Sequence, residues 1–167
     1  MIKTFNSLFV TMFGIGKLKP IPGTFGSLAT IIILYFLFHK FEISSNLILL
    51  GLVVIFIYSF SAITNHTKDK KNKDPGEIVI DEFIGQSIPI YLYEISHGTD
   101  KDPSEALIFY AVCFVLFRYF DIMKPFPVSY FDKKHKNSFG VIMDDVCAGL
   151  YVVLSLICFM VLKSYIL

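Results

Sequence analysis

FRYFDIMKPFPVSYFDKKHKNSFGVIMDD, residues 117–145, separates the last two apolar segments of the chain and concentrates many of its charges. The stretch contains the acids Asp121, Asp132, Asp144 and Asp145 and the bases Arg118, Lys124, Lys133, Lys134 and Lys136, with His135 among them. Pro125 and Pro127 preclude one continuous helix across it. Because segments suited to lipid lie on both sides, we expect these charges to gather at one membrane surface.

The composition is that of one strongly apolar domain covering residues 1–167. Hydrophobic residues make up 54% of the chain, and the mean hydropathy of +0.64 exceeds that of ordinary soluble domains. The net charge of +1 gives no reason to expect a nucleic-acid partner. Cys113, Cys147 and Cys158 lie in apolar runs without metal-ligand spacing, so we expect three buried, reduced packing residues.

Five apolar segments predict an all-α, multi-helix bundle embedded in a membrane. They cover residues 28–38, 46–63, 78–95, 106–117 and 146–162. The second is the longest charge-free run and predicts a membrane-spanning helix. Because the other runs are short for a bilayer, a compact soluble bundle is the alternative.

The N-terminal region predicts a further, amphipathic helix. Residues 1–16 carry apolar side chains at helical spacing, namely Phe5, Leu8, Phe9, Met12 and Phe13. A stripe of this kind suits packing on the bundle or lying in the membrane interface.

The distribution of basic residues predicts the orientation of the bundle. If the five segments alternate in direction, 12 of the 15 Lys and Arg residues fall on one side, and only Lys40, Lys101 and Lys163 fall on the other. Under the positive-inside rule the more basic side is cytoplasmic. Residues 22–27, 81–82 and 117–145 all fall on that side, so any site that they form should face the cytoplasm.

Six acids on this face predict a metal site. Asp81 and Glu82 begin one predicted helix, Asp144 and Asp145 begin another, and Asp121 and Asp132 lie in the predicted loop. Helix capping and dipole pairing are the simpler explanation for either pair alone. Six carboxylates beside lipid would repel one another, however, and oxygen ligands favour a hard cation, Mg²⁺ or Mn²⁺. Adjacent helical residues diverge by about 100°, so each pair should supply one direct ligand, and its neighbour should serve a second metal or the surroundings of the first.

The segment PGTFGS, residues 22–27, predicts phosphate binding beside this metal. Gly23 and Gly26 let the backbone approach a ligand, and Thr24 and Ser27 supply hydroxyl groups. Thr24 or Ser27 is also the expected N-cap of the following helix. An ordinary turn and cap is the alternative. Helix N-termini at Ser27, near Ile80 and at Asp144 are expected to meet on this face and to attract anions.

Basic residues of the central stretch complete the predicted site. Arg118, Lys124 and His135 can offset phosphate charge. The predicted phosphate-binding set is Pro22, Gly23, Thr24, Gly26, Ser27 and Arg118. Lys133, Lys134 and Lys136 predict contacts with anionic lipid headgroups, for which the general positive-inside bias is an alternative explanation.

Four motifs together resemble the phosphatidylglycerophosphatase A family. They are PGTFGS (22–27), DEFIGQ (81–86), FDIMKPFP (120–127) and GVIMDDVCAG (140–149), in matching order over nearly the whole chain. The resemblance implies a Mg²⁺-dependent lipid phosphatase of the bacterial inner membrane that converts phosphatidylglycerophosphate into phosphatidylglycerol and phosphate. It also implies an acidic site made of Asp81, Glu82, Asp121, Asp132, Asp144 and Asp145. A catalytic role for each of these six and for Lys124 is our inference.

Other phosphatase chemistries lack their motifs here. Cys113 and Arg118 are in an apolar run and too close together for a cysteine-phosphatase loop. A DxDx[TV] nucleophile motif, a PSGH element and the CDP-alcohol phosphotransferase signature are absent from the sequence. Two non-enzymatic alternatives are a membrane cation carrier and a headgroup-binding module. A carrier needs acids along its helices, whereas these acids are predicted at helix ends on one face.

Overall fold

The computed structural model describes residues 2–70, 72, 75–97 and 102–166, and within them the regular structure is entirely helical. The helices are α1 (Ile2–Val10), α2 (Pro22–Tyr35), α3 (Ser45–Thr67), α4 (Ile80–His97), α5 (Pro103–Met123), α6 (Val128–Lys134) and α7 (Ser138–Ile166). A 3₁₀ turn at Ile15–Lys17 follows α1, and a π-helical turn at Phe36–Lys40 continues α2. The predicted all-α class is confirmed.

Helix α4 is the centre of the bundle, in contact with α2, α3, α5 and α7. Residues 80–90 are buried except Glu82 and Ile88, which are partly buried. Because protein rather than lipid surrounds this helix, it can carry polar residues such as Gln86 and Ser87 in its interior-facing turns.

Among the residues that the structure describes, four other helical segments are long and apolar enough to cross a membrane. They are Pro22–Lys40, Ser45–Thr67, Pro103–Met123 and Ser138–Tyr165. Their outer faces expose large apolar side chains, as at Ile57 (65% exposed) and Ile108 (67%), which suits contact with lipid. The five segments expected from the sequence therefore comprise four candidate spans and one more polar central helix, in a bundle compatible with membrane embedding.

Close packing of α4 against α7 depends on two glycines. A Cβ added to Gly85 would lie 2.4 Å from the backbone oxygen of Asp145, and one added to Gly149 would lie 2.3 Å from the backbone oxygen of Gly85. The two backbones therefore touch without intervening side chains. Gly85 follows Asp81 by four residues, and Gly149 follows Asp145 by four, so each glycine shares a helix face with an acid one turn away. This packing brings the acidic ends of α4 and α7 together.

Two predicted helix starts are wrong. Helix α7 begins at Ser138, so Asp144 lies about two turns inside it rather than at its N-terminus. Helix α2 begins at Pro22 with Ile21 as its N-cap, so neither Thr24 nor Ser27 caps it. Proline suits the first helical position because it has no N–H to leave unpaired there. The apolar runs correspond to the parts of the helices that lie inside the bundle or face lipid. The helices themselves continue past these runs into polar sequence.

The central stretch is also more helical than the predicted loop. Asp121 lies in the last turn of α5, and Asp132 lies in the short helix α6. The expected break in the helix occurs at Lys124, which has the left-handed backbone conformation (φ 46°) and ends α5 just before Pro125.

The predicted N-terminal stripe is only partly buried. Phe9 packs on the core and Met12 is buried, whereas Phe5, Leu8 and Phe13 are 59%, 42% and 87% exposed. The helix stops at Val10, and the turn that follows breaks the helical spacing on which the prediction was based.

The expectation of three buried cysteines holds for two of them. Cys113 and Cys147 are buried, but Cys158 is exposed on the outer surface of α7. An apolar run facing lipid and an apolar run facing the core have the same composition, so the sequence did not separate these cases.

Candidate active site

A cleft of about 380 Å³ opens where α2 and α4 begin and α5 ends, with α7 forming a further wall. It brings together most of the residues predicted from the sequence. Those that line it are Pro22, Gly23, Thr24, Asp81, Glu82, Arg118, Asp121, Lys124, Asp144 and Asp145. Gly26, Ser27, Asp132 and His135 are not among the lining residues.

Three of the acids form a compact trio. Asp81, Glu82 and Asp145 each place one carboxylate oxygen within 4.8 Å of the other two. Asp81 and Asp145 are buried, and Oε2 of Glu82 is enclosed without a hydrogen-bond partner among the described residues. Burying like charges this closely is costly unless a cation or bound protons offset them. Carboxylate oxygens are the ligands that Mg²⁺ and Mn²⁺ prefer, so the trio fits a hard divalent cation.

The other three acids contact bases. Arg118 Nη1 lies 2.7 Å from Asp121 Oδ2. Lys124 Nζ donates to Asp132 Oδ1 at 2.8 Å and to Asp144 Oδ2 at 2.9 Å. The adjacent residues Asp144 and Asp145 therefore have different partners, since Asp144 contacts Lys124 and Asp145 belongs to the trio. Asp81 and Glu82, by contrast, both belong to the trio. Asp132 lies behind Lys124, one side chain away from the cleft.

The ion pairs keep Lys124 and Asp132 in their charged forms. Burial alone would lower the pKa of Lys124, but its hydrogen bonds to Asp132 and Asp144 raise it above its usual value. Burial alone would raise the pKa of Asp132, but the contact with Lys124 outweighs this and lowers it. Both side chains are therefore charged at neutral pH, and Lys124 presents a positive charge to the cleft.

The first turn of α2 lines the cleft beside Glu82 and Arg118. A Cβ on Gly23 would lie 2.3 Å from Glu82 Oε1 and 3.2 Å from Arg118 Nη1, so a side chain here would displace the Glu82 carboxylate. The amides of Gly23 and Thr24 belong to a first helical turn and have no acceptor within the helix. A helix start of this kind attracts anions.

Gly26 and Ser27 support this wall from behind. A Cβ on Gly26 would lie 2.8 Å from Cβ of Val79, so the glycine allows α2 to pack on the segment before α4. Ser27 Oγ donates to the backbone oxygen of Gly23 at 2.9 Å and accepts from Arg118 Nη1 at 3.5 Å. The contacts seen for both residues are with the protein, and their predicted contact with phosphate stays a prediction.

The remaining basic residues of the central stretch lie on α6 and just after it. Lys133, Lys134 and Lys136 are exposed, as a role at lipid headgroups requires. The ring of His135 packs between Phe131 and Phe139 instead of entering the cleft.

Gln86 is a buried polar residue for which no role was predicted from the sequence. It is fully buried one turn beyond Glu82 on α4, and neither Oε1 nor Nε2 has a hydrogen-bond partner among the described residues. An unsatisfied buried amide costs about 1–3 kcal/mol. Its position four residues after Glu82, inside an otherwise apolar run, was the available signal, because residues i and i+4 share a helix face. Gln86 extends the polar side of α4 below the cleft.

A model of the phosphatidylglycerophosphatase A family matches residues 8–160. The chain belongs to the phosphatidylglycerophosphatase A family. The match covers the cleft and all four motifs, so the resemblance inferred from those motifs is confirmed. Together with the four apolar spans, membership of a lipid phosphatase family indicates a membrane protein.

Individual relatives agree with the family match. Phosphatidylglycerophosphatase A of Haemophilus influenzae is 39% identical over 147 residues, covering 88% of this chain and 83% of the relative. Phosphatidylglycerophosphatase A of Escherichia coli K12 is 33% identical over 144 residues, covering 85% of this chain and 76% of the relative. A Bacteroides thetaiotaomicron protein, provisionally named phosphatidylinositol-3-phosphatase, is 33% identical over 145 residues, covering 86% of both. No solved structure matches the chain.

Proposed function

We propose that this chain hydrolyses the phosphomonoester of phosphatidylglycerophosphate to phosphatidylglycerol and phosphate, in phospholipid biosynthesis. The family match and two relatives named for this activity support the proposal. The observation that carries it is the cleft, where three clustered carboxylates, a charged lysine and the start of α2 surround one space. A phosphomonoester suits such a space because its oxygens can meet cations and backbone amides together.

Asp81, Glu82 and Asp145 are the residues proposed to hold Mg²⁺. This narrows the six acids expected from the sequence to three. Asp132 and Asp144 contact Lys124. Asp121 pairs with Arg118 and also lies beside Asp145, next to the trio. When bound, Mg²⁺ supplies charge neutralisation, polarises a phosphate oxygen and lowers the pKa of water.

The other cleft residues bind and orient the phosphate. The amides of Gly23 and Thr24 and the Thr24 hydroxyl donate to its non-bridging oxygens. Arg118 and Lys124 place positive charge beside it, and their ion pairs hold them in position. In this arrangement Asp121, Asp132 and Asp144 contribute by positioning the bases.

The proposal predicts phosphate release from phosphatidylglycerophosphate by the purified protein in detergent. Release should require Mg²⁺, stop with EDTA and return with excess Mg²⁺, because the carboxylate trio needs a cation to offset its charge. Phosphatidylinositol 3-phosphate is the comparison substrate, chosen because one relative carries that name. A folded protein inactive on phosphatidylglycerophosphate contradicts the proposed function, whereas release unaffected by EDTA contradicts only the metal assignment.

The structure does not favour a cation carrier. Glu94 is a buried acid further along α4, about 20 Å from Asp81 at 1.5 Å per residue. It accepts a hydrogen bond from Tyr110 at 2.9 Å and lies 3.2 Å from His39. The sequence of α4 contains no acid between Glu82 and Glu94, so this helix lacks the series of acids expected of an ion path.

We further propose that the cleft faces the cytoplasm from the bacterial inner membrane, on the basis of the 12-to-3 distribution of basic residues. The test uses single cysteines in a background lacking the three native ones. Asn137 is exposed at the cleft end, and Ser104 is exposed at the start of α5, at the opposite end. In intact cells a membrane-impermeant thiol reagent should label Ser104→Cys but not Asn137→Cys until the cells are permeabilised. The reverse pattern would place the cleft outside the cytoplasm.

A further inference from the structure

The mouth of the cleft is apolar, although its floor is ionic. Ile21 and Ile122 line the cleft and are 51% and 68% exposed. On the floor, Asp81 and Asp145 are only 6% and 4% exposed. The third apolar lining residue, Ile78, is buried and does not reach the mouth. The cleft therefore changes from charged to apolar along its depth.

The two mouth residues lie at the ends of neighbouring candidate spans. Ile21 is the residue before α2, Ile122 lies in the last turn of α5, and these helices contact each other. Exposed apolar side chains continue from both residues at helical spacing. They are Leu28 and Ile32 on α2 and Val115 and Tyr119 on α5. The apolar mouth is thus continuous with the faces of α2 and α5 that suit contact with lipid.

We propose that Ile21 and Ile122 form the entrance through which a lipid substrate reaches the cleft from the plane of the membrane. This inference rests on the proposed function and adds where the lipid is held. The phosphate occupies the ionic floor, and the ester and upper acyl region of the same molecule lies against the two isoleucines. An amphiphile matches this change in polarity, whereas a soluble phosphomonoester has no apolar part to place at the mouth.

The first test compares two substrates with the same reacting headgroup. Long-chain phosphatidylglycerophosphate in mixed micelles carries acyl chains, and its deacylated form does not. The double variant Ile21→Ser/Ile122→Ser should raise KM for the acylated substrate by about tenfold or more, since it removes two apolar contacts. Turnover of the deacylated substrate, expressed as kcat/KM, should stay within about twofold because the ionic floor is unchanged.

Ile108→Ser is the matched control. Ile108 is 67% exposed on the same helix but lies 14 residues before Ile122, about 21 Å away, and does not line the cleft. This variant should leave both substrates within about twofold. An equal loss on both substrates in the double variant, or the same loss in the control, would overturn the proposed entrance.

A second test does not depend on turnover. The chain contains no tryptophan, so Ile122→Trp and Ile108→Trp each introduce a single fluorophore. In vesicles with Mg²⁺, a small fraction of a non-hydrolysable phosphonate analogue of phosphatidylglycerophosphate with brominated acyl chains should quench Trp at position 122 more than at 108. Excess unlabelled analogue should abolish this difference in quenching. Equal quenching at the two positions contradicts the proposed entrance. Inactivity of the wild-type protein on both the acylated and the deacylated substrate contradicts the proposed function instead.

Discussion

Asp145→Asn should lower turnover of phosphatidylglycerophosphate by about a hundredfold to a thousandfold, the range for losing one positioned charged group at a reacting centre. Asp145 belongs to the trio whose oxygens lie within 4.8 Å of one another. The matched variant Asp132→Asn should cost about tenfold, the low end of the range for residues that hold another group in place, because Asp132 contacts Lys124 instead of the trio. Initial rates at a series of Mg²⁺ concentrations measure both effects.

Folding and cation dependence provide the controls for this comparison. Circular dichroism should show unchanged helix content in both variants. Asp145→Asn should need more Mg²⁺ for half-maximal activity, whereas Asp132→Asn should not. Similar losses in rate and in Mg²⁺ dependence for the two variants would mean that the six acids act as one ligand set, contrary to the division seen in the structure.

Gly85→Ala should destabilise the protein by about 1–3 kcal/mol, the usual cost of overpacking a tight contact. The added Cβ would lie 2.4 Å from the Asp145 backbone oxygen and 2.8 Å from Phe117 Cε2, so α7 must move away from α4. That movement separates Asp145 from Asp81 and Glu82, and turnover should fall by at least about tenfold. Thermal unfolding in detergent and initial rates on the same preparation measure the two effects.

Gly51→Ala is the control for glycine replacement itself. Gly51 lies inside α3, and a Cβ there would meet no atom within 4 Å. This variant should keep full activity and gain up to about 1 kcal/mol, since alanine loses less backbone entropy than glycine in a helix. Wild-type stability and activity in Gly85→Ala would show that the α4–α7 contact does not set the geometry of the site.

The number and order of the main helices could be predicted from the sequence, but their ends could not. An apolar run shows which residues are removed from water, and that depends on how deep they lie in the bundle or the membrane. Backbone hydrogen bonding continues through polar residues, so α7 begins at Ser138 and α2 at Pro22, each several residues before its apolar run. For the same reason Asp132 was expected in a loop, although it lies in the short helix α6.

Conversely, the sequence did not identify the central helix. The apolar run at residues 78–95 is within the range of lengths of the other four, and of its polar residues only Asp81 and Glu82 were given a role. Gln86 and Ser87 are tolerated because helices cover α4 on several sides. Composition alone does not show which apolar surface meets lipid and which meets protein, because both partners are equally apolar.

By itself the sequence determined the helical class, the four motifs of the family, and the concentration of acids, bases and glycines in segments that meet at one end of the bundle. Only the tertiary structure decided how the acids divide, with Asp81, Glu82 and Asp145 together and the others paired with Arg118 or Lys124. The physical reason is distance. A carboxylate becomes a candidate metal ligand or an ion-pair partner according to which charge lies within a few ångströms. For the trio, the backbone contact at Gly85 and Gly149 brings Asp145 of α7 to Asp81 and Glu82 of α4.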